Sequence, residues 1–324
     1  MDSITKTHDV YNLNAPKWEF FLRSYMGGND YRDGNYLLKY ILEDKHEYQK
    51  RIDLTPLDNH CKNVINIYSS FIWRLPPTRN FGNLVEDQAL NSFLKDADMD
   101  GRSLNAFMSE AQMWSGVYGH VWLIMDKPNV IANTRADELA QEVRPYLTLI
   151  TPENVLDWNY ERALNGRYEL TMLKVREWVE DEDAFYRIWT KETIKGYEVI
   201  GDEAKLVETM DNPLGVIPAV CLYGNRSPIR GIGHSDITDV AYMQRAIYNE
   251  LSEIEQLIRI SNHPSLVKSV DTDAGAGAGS VIEVSDTDSI QPYLLQPSGG
   301  NLDAIRASIT AVSYTHLRAH ETDS

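Results

Sequence analysis

Cysteine is scarce in this chain of 324 residues: there are two, Cys61 and Cys221, far apart and in no Cys-x-x-Cys spacing. That argues against a thiolate zinc site and a disulfide framework, and it fits a reducing compartment. Long apolar runs are missing as well. No stretch approaches the ~20 residues that a membrane-spanning helix needs, and the polar opening MDSITKTHDVYNLN lacks the pattern of a signal peptide. Positive charge is short: 31 Lys and Arg stand against 48 Asp and Glu, a formal net charge of −17. A protein that grips nucleic acid by neutralising phosphates should be basic, so simple wrapping of DNA is disfavoured. An acidic balance suits a protein that lets DNA pass without gripping it, and it equally suits an ordinary acidic protein. Familiar catalytic signatures are absent: no Gly-x-Ser-x-Gly, no His-Glu-x-x-His and no Cys–His pair at useful spacing. His120, His234 and His263 therefore read as structural.

What is present suffices for a core. Hydrophobic residues make up 43 % of the chain, with 7 Trp and 18 Tyr, and the length suggests two domains or so. The chain is organised around Gly231–Pro264, GIGHSDITDVAYMQRAIYNELSEIEQLIRISNHP. Ser235 is a good N-cap, and Asp236 and Asp239 sit where acids suit the helix dipole. Apolar residues recur at Ile237, Val240, Ile247, Leu251, Ile254 and Ile258, in steps of three, four and seven. Arg259 lies near the end, and Pro264 stops continuation. Such a helix is about 38 Å long. It is either a core helix or one that packs beside copies of itself in an oligomer.

Ahead of it, residues 1–16 read as a loose arm. Lys17–Tyr25 starts a helix, Glu47–Ile52 is a charged helix face, and Asn59–Trp73 is amphipathic and ends at Pro76-Pro77. Asp96, Asp98, Asp100 and Gly101 match the opening of an EF-hand calcium loop. Its twelfth position should be a bidentate Glu and is Phe107, and its eighth is Ser103. An Asp-Gly turn with Ser103 capping the next helix, and Phe107 in a core, accounts for the same residues. Gly119–Asp126 and Pro145–Ile150 read as strands, followed by an antiparallel meander with Asn165-Gly166 as a hairpin turn. Pro213–Tyr223 reads as a buried connector. The glycine-rich Asp271–Ser280 lacks the Lys-Ser/Thr ending of a phosphate loop and precedes a strand, so it reads as a hairpin loop. Asn301–Val312 begins a helix with Leu302, Ile305 and Ile309 on one face. Val312–Thr322, VSYTHLRAHET, resembles a translated sequencing-library adapter and breaks that helical pattern without a cap. The expectation is that the native frame continues past about Ala311, so His316 and His320 carry no functional weight.

The succession of these segments resembles a tailed-bacteriophage portal protein over about residues 17–311. The motifs, in order, are KWEFFLRSY; YLLKYILEDKHEYQKRI; NHCKNVINIYSSFIWRLPP; FMSEAQMWSGVYGHVWLIMDKP; RPYLTLITPENVLDW; and GIGHSDITDV with its long helix and an Asn-His-Pro turn. The resemblance implies an α+β, portal-type fold: a helical and antiparallel β wing (17–230), a long stem helix (231–261), a small β clip (262–300) and the start of a returning helix (301–311). Residues 312–324 would be the foreign tail, and 1–16 a flexible arm. It implies no catalysis, cofactor or metal. The expected partners are copies of the chain in a ring of about twelve, the terminase large subunit, head-completion or adaptor proteins, and the major capsid and scaffolding proteins. Double-stranded DNA would pass through the channel without sequence specificity, and no membrane is involved. The location would be one capsid vertex of the virion, after assembly in the host cytoplasm, for genome packaging and ejection. Asp236, Asp239, Glu250, Glu253 and Glu255 are then the oligomer or channel-helix candidates. Asp271, Asp273, Asp286 and Asp288 are the partner-docking candidates. A chain cut near Ala311 should assemble poorly, because its stem lacks most of the second helix. Another virion connector or tail-ring protein, or an acidic metal-dependent enzyme built on the β meander, stay open beside this reading.

Overall fold

Every strand pair among the described residues of this computed structural model (2–128, 134–141, 143–180, 183–201, 203–262, 265–267, 293–295 and 303–311) is antiparallel. With 43 % helix and 26 % strand, the chain is α+β. It divides into two compact units, each built from two stretches: Met1–Met26 with His60–Ala241, and Gly27–Asn59 with Tyr242–Ser324.

The first unit is centred on the helix Leu104–Tyr118. Ser103 caps it, its Oγ accepting the Ala106 N–H at 3.3 Å, and Gly119 ends it at φ 91°. A Cβ on Gly119 would lie 2.5 Å from the His234 carbonyl carbon, so this position needs glycine for space as well as conformation. The helix buries Phe107, Ala111, Val117 and Tyr118. The helix Tyr11–Met26 buries Trp18, Phe20, Phe21 and Tyr25. It runs through Pro16, so residues 11–16 belong to a helix rather than to the loose arm expected. His8 stacks on Trp158 with ring centroids 4.3 Å apart, and the Tyr11 hydroxyl donates to the Glu153 carbonyl at 2.7 Å. These contacts hold the N-terminal segment down.

Strand β1 (His120–Asp126) leaves the central helix and lies between β2 (Tyr146–Ile150) and β8 (Ala219–Tyr223). Trp122, fully buried, faces Ile150 on one side and Cys221 on the other. β3 (Val155–Arg162), β4 (Tyr168–Glu180), β5 (Asp183–Thr190), β6 (Thr193–Ile200) and β7 (Glu203–Asp211) form the five-stranded meander in sequence order. Gly166, at φ 82°, turns β3 into β4 as the Asn-Gly pair predicts. The Pro213–Tyr223 stretch corrects one expectation. It is not a buried connector but loop plus the edge strand β8, with Leu214 62 % and Val220 65 % exposed.

In the second unit, the helix Lys45–Leu54 starts at Asp44, whose carboxylate accepts the Glu47 N–H at 2.8 Å. The long helix, Thr238–Asn262, has 25 residues and carries the chain from the first unit into the second. It starts three residues after Ser235, so that serine is not its N-cap. The Ser235 Oγ donates instead to the Val117 carbonyl at 2.6 Å. Of the expected apolar stripe, Ile237, Val240, Ile247 and Ile254 are buried, while Leu251 and Ile258 are half-buried. Tyr248 meets Tyr31 edge-on with centroids 5.3 Å apart. Asn249 holds the extended segment before the Lys45 helix: it accepts the Leu38 N–H at 2.8 Å and donates to the Tyr36 carbonyl at 3.2 Å. Ser265–Val267 then pairs with Tyr293–Leu295, and a helix over 303–311 follows.

Candidate functional site

The five acids singled out near the long helix do not form one face. Asp236 precedes the helix and is exposed, and Asp239 is exposed in the first turn. At about 100° per residue, Glu250 and Glu253 fall within about 60° of each other, and Glu255 lies about 140° from Glu250. Glu250 accepts a hydrogen bond from the Ser308 hydroxyl at 3.0 Å. Glu253 accepts from the Tyr40 hydroxyl at 2.5 Å. Burial, and then this bond, push the Tyr40 phenol up to about 12. Two of the acids are therefore committed to contacts within the second unit. Asp271, Asp273, Asp286 and Asp288 lie outside the described residues.

Arg51 organises the same unit, and the sequence did not single it out. Its side chain is 3 % exposed and forks onto the Glu43 carboxylate, 7 % exposed, with both bonds at 2.8 Å. It also donates to the Leu38 carbonyl at 2.5 Å and to Ser252 Oγ at 3.0 Å, and it stacks 4.0 Å from the Tyr40 ring centroid. The fork holds the Glu43 carboxyl below its ordinary range.

Two of the three aspartates of the calcium-like loop are already engaged by the protein. Asp96 accepts the Gly101 N–H at 3.0 Å and the Arg144 guanidinium at 2.5 Å. Asp98 accepts the Asp100 N–H at 3.0 Å and pairs with Arg102. Phe107, where a calcium loop needs its bidentate carboxylate, is 1 % exposed in the core. Among the described residues, no group of three or more His, Cys, Asp and Glu side chains is placed to hold a metal ion. His120 is buried, and its Nδ1 accepts the Gly233 N–H at 3.2 Å. Burial pushes its pKa down to about 3, which fits the structural role expected of it.

Two of the cavities in the first unit are walled mainly by strands. The larger, about 710 Å³, includes Asp126, Tyr146, Arg187 and Glu208 in its walls. Arg187 pairs with Glu177 at 2.5 Å and Glu208 at 3.0 Å, and burial raises the Asp126 carboxyl. The smaller, about 340 Å³, lies between β3 and β4 on one side and β8 and the following turn on the other. Tyr160, Tyr168, Tyr223, Arg226 and Arg230 supply its polar edge. The Arg230 guanidinium lies 3.7 Å from the Tyr168 ring centroid, and that of Arg226 lies 5.4 Å from the Tyr223 ring. Sequence reasoning passed over these residues because no motif links two arginines in a turn to tyrosines on three strands.

No helix among the described residues is long and apolar enough to cross a membrane. No protein-family model matches the chain, and a search of curated proteins finds no relative.

Proposed function

We propose that the chain is a portal-type subunit, which forms a ring at one capsid vertex and lets double-stranded DNA through during packaging and ejection. The reading rests on the succession of sequence motifs. One structural observation supports it: the order of elements in the second unit. A 25-residue helix is followed by a short antiparallel strand pair and then by a helix over 303–311 that comes back to it, Ser308 Oγ donating to Glu250 Oε1 at 3.0 Å. In this reading these elements are stem, clip and returning stem, and of the wing segment 17–230 residues 17–26 and 60–230 lie in the first unit while 27–59 lie in the second. The net charge of −17 suits a channel wall that repels phosphate rather than gripping it. In this role the protein carries out no chemistry; a separate motor protein would hydrolyse ATP.

Sedimentation velocity on the protein expressed from its genomic reading frame tests the proposal, with and without a chelator. A large species of about twelve subunits that survives chelation is expected. A monomer, or a small oligomer that falls apart when metal is removed, would sink it.

A further inference from the structure

The smaller cavity of the first unit presents donors that the protein does not answer. Neither the Arg226 nor the Arg230 guanidinium makes an ion pair or a side-chain hydrogen bond among the described residues, although the chain carries 48 carboxylates against 31 Lys and Arg. The one carboxylate in the wall, Glu169, is held by Lys191 at 2.6 Å. The Tyr160 and Tyr168 hydroxyls also lack partners among the described residues. Tyr223 is already engaged: its hydroxyl accepts the Gly231 N–H at 2.8 Å and donates to the Cys221 thiol. Burial pushes the Tyr223 phenol up to about 12 and raises that of Tyr160, so both stay protonated at neutral pH and Tyr160 keeps a donor to give.

The turn that carries the arginines is held without their guanidiniums. The Arg230 carbonyl accepts the Trp158 Nε1–H at 2.9 Å, and Arg226 pairs with Gly233 through the backbone. Ser227 brackets Ile229, donating to its carbonyl at 3.1 Å and accepting its N–H at 3.0 Å. Gly231 sits at φ 80°, where a Cβ would come within 2.3 Å of the Trp158 ring nitrogen. Elsewhere in the chain, the buried Arg51 and the half-buried Arg187 direct their donors at carboxylates, whereas the half-buried Arg230 and the exposed Arg226 do not. Stacking on a tyrosine face fixes a guanidinium plane and leaves its N–H edges free. Such a site is preorganised for an anion.

We propose that this cavity binds an organic phosphomonoester, its phosphate on Arg226 and Arg230 and its apolar body against Val216, Ile217 and Val220. One guanidinium fork suffices for a carboxylate, whereas two suit a dianion with three terminal oxygens. A volume of about 340 Å³ suits a small ligand of that kind. The inference does not depend on the portal reading.

Isothermal titration calorimetry on the full chain at low salt tests it, with phenyl phosphate, inorganic phosphate, benzoate and phenol as probes. Phenyl phosphate should bind with a Kd of about 0.1 mM, more tightly than inorganic phosphate, and phenol should not bind. Arg226→Gln and Arg230→Gln should each weaken phenyl phosphate binding about tenfold or more. Lys205→Gln, an exposed charge on β7, should leave it unchanged. Arg226 is exposed, so its variant tests the site even if Arg230→Gln unfolds the turn. Benzoate binding as tightly as phenyl phosphate would overturn the phosphate assignment. Arginine variants that bind like the parent, or no heat from any probe up to about 10 mM, would overturn the site.

Discussion

Replacing Arg51 with Met removes one half of a buried ion pair and leaves the other half in place. Arg51 and Glu43 are 3 % and 7 % exposed, so water cannot take over the orphaned carboxylate without opening the unit. An exposed pair would contribute at most about 1 kcal/mol. Breaking a buried one costs about 3–5 kcal/mol, because the remaining charge must be protonated or hydrated. The lost bonds to the Leu38 carbonyl and Ser252 Oγ act in the same direction. Arg51→Lys should not rescue the loss, since an ammonium cannot fork onto Glu43 and reach Leu38 together. Arg51→Met with Glu43→Gln should recover part of it, because no charge is left buried. The readout is urea unfolding, with hydrogen exchange followed at the amides of Lys45–Leu54 and of the long helix beyond Tyr242. The pH dependence has a fixed sign. Arg51 lowers the folded-state pKa of Glu43, so the pair's stabilisation is present above the unfolded carboxylate value of about 4.3 and is lost as pH falls through the lower folded value. The deficit of Arg51→Met should therefore shrink in acid. A loss below about 1 kcal/mol at neutral pH, or a deficit that grows in acid, would refute the reasoning.

His120 should remain neutral far below the usual imidazole range. Its folded-state pKa is depressed to about 3, so acid favours the unfolded chain. Stability from this group is complete above about 6.5 and falls by about 1.4 kcal/mol per unit as pH drops from there toward the folded value. An NMR titration showing the His120 ring with a midpoint near the ordinary value would contradict its burial. Gly119→Ala and Gly101→Ala separate two effects of glycine. Both positions have positive φ, 91° and 89°, but an added Cβ at Gly101 meets nothing within 4 Å, while at Gly119 it comes within 2.7 Å of the Gly233 carbonyl oxygen. Gly101→Ala should cost about 1 kcal/mol. Gly119→Ala should cost at least twice as much, measured as urea midpoints at equal m. Equal costs would mean that the backbone contact at Gly119 relaxes freely.

Local signals in the sequence were readable where the partner lies nearby. Ser103 caps the helix that it precedes, Asn165-Gly166 turns the β3–β4 hairpin, and Phe107 fills a core rather than closing a calcium loop. The Asn-Gly turn and the short segments after it placed the meander, because hairpin partners are neighbours in sequence. What stayed illegible depends on partners distant in sequence. Ser235 has the chemistry of an N-cap, but its hydroxyl goes to the Val117 carbonyl, 118 residues away. Residues 8–11 look like a polar arm until the ring of Trp158 lies against His8 and the Glu153 carbonyl accepts from Tyr11. Arg51 sits in a charged helix face, and nothing local indicates that Ser252, 201 residues on, receives one of its donors. The arginine cavity is hidden for the same reason: Arg226 and Arg230 share a turn, but Tyr160 and Tyr168 belong to the distant β3 and β4.

The central claim is that copies of the chain surround an open channel. Negative-stain electron microscopy of the protein expressed from its genomic reading frame is the most direct measurement. The account predicts rings with an open centre and about twelvefold symmetry. Discrete small particles without a hole would contradict it.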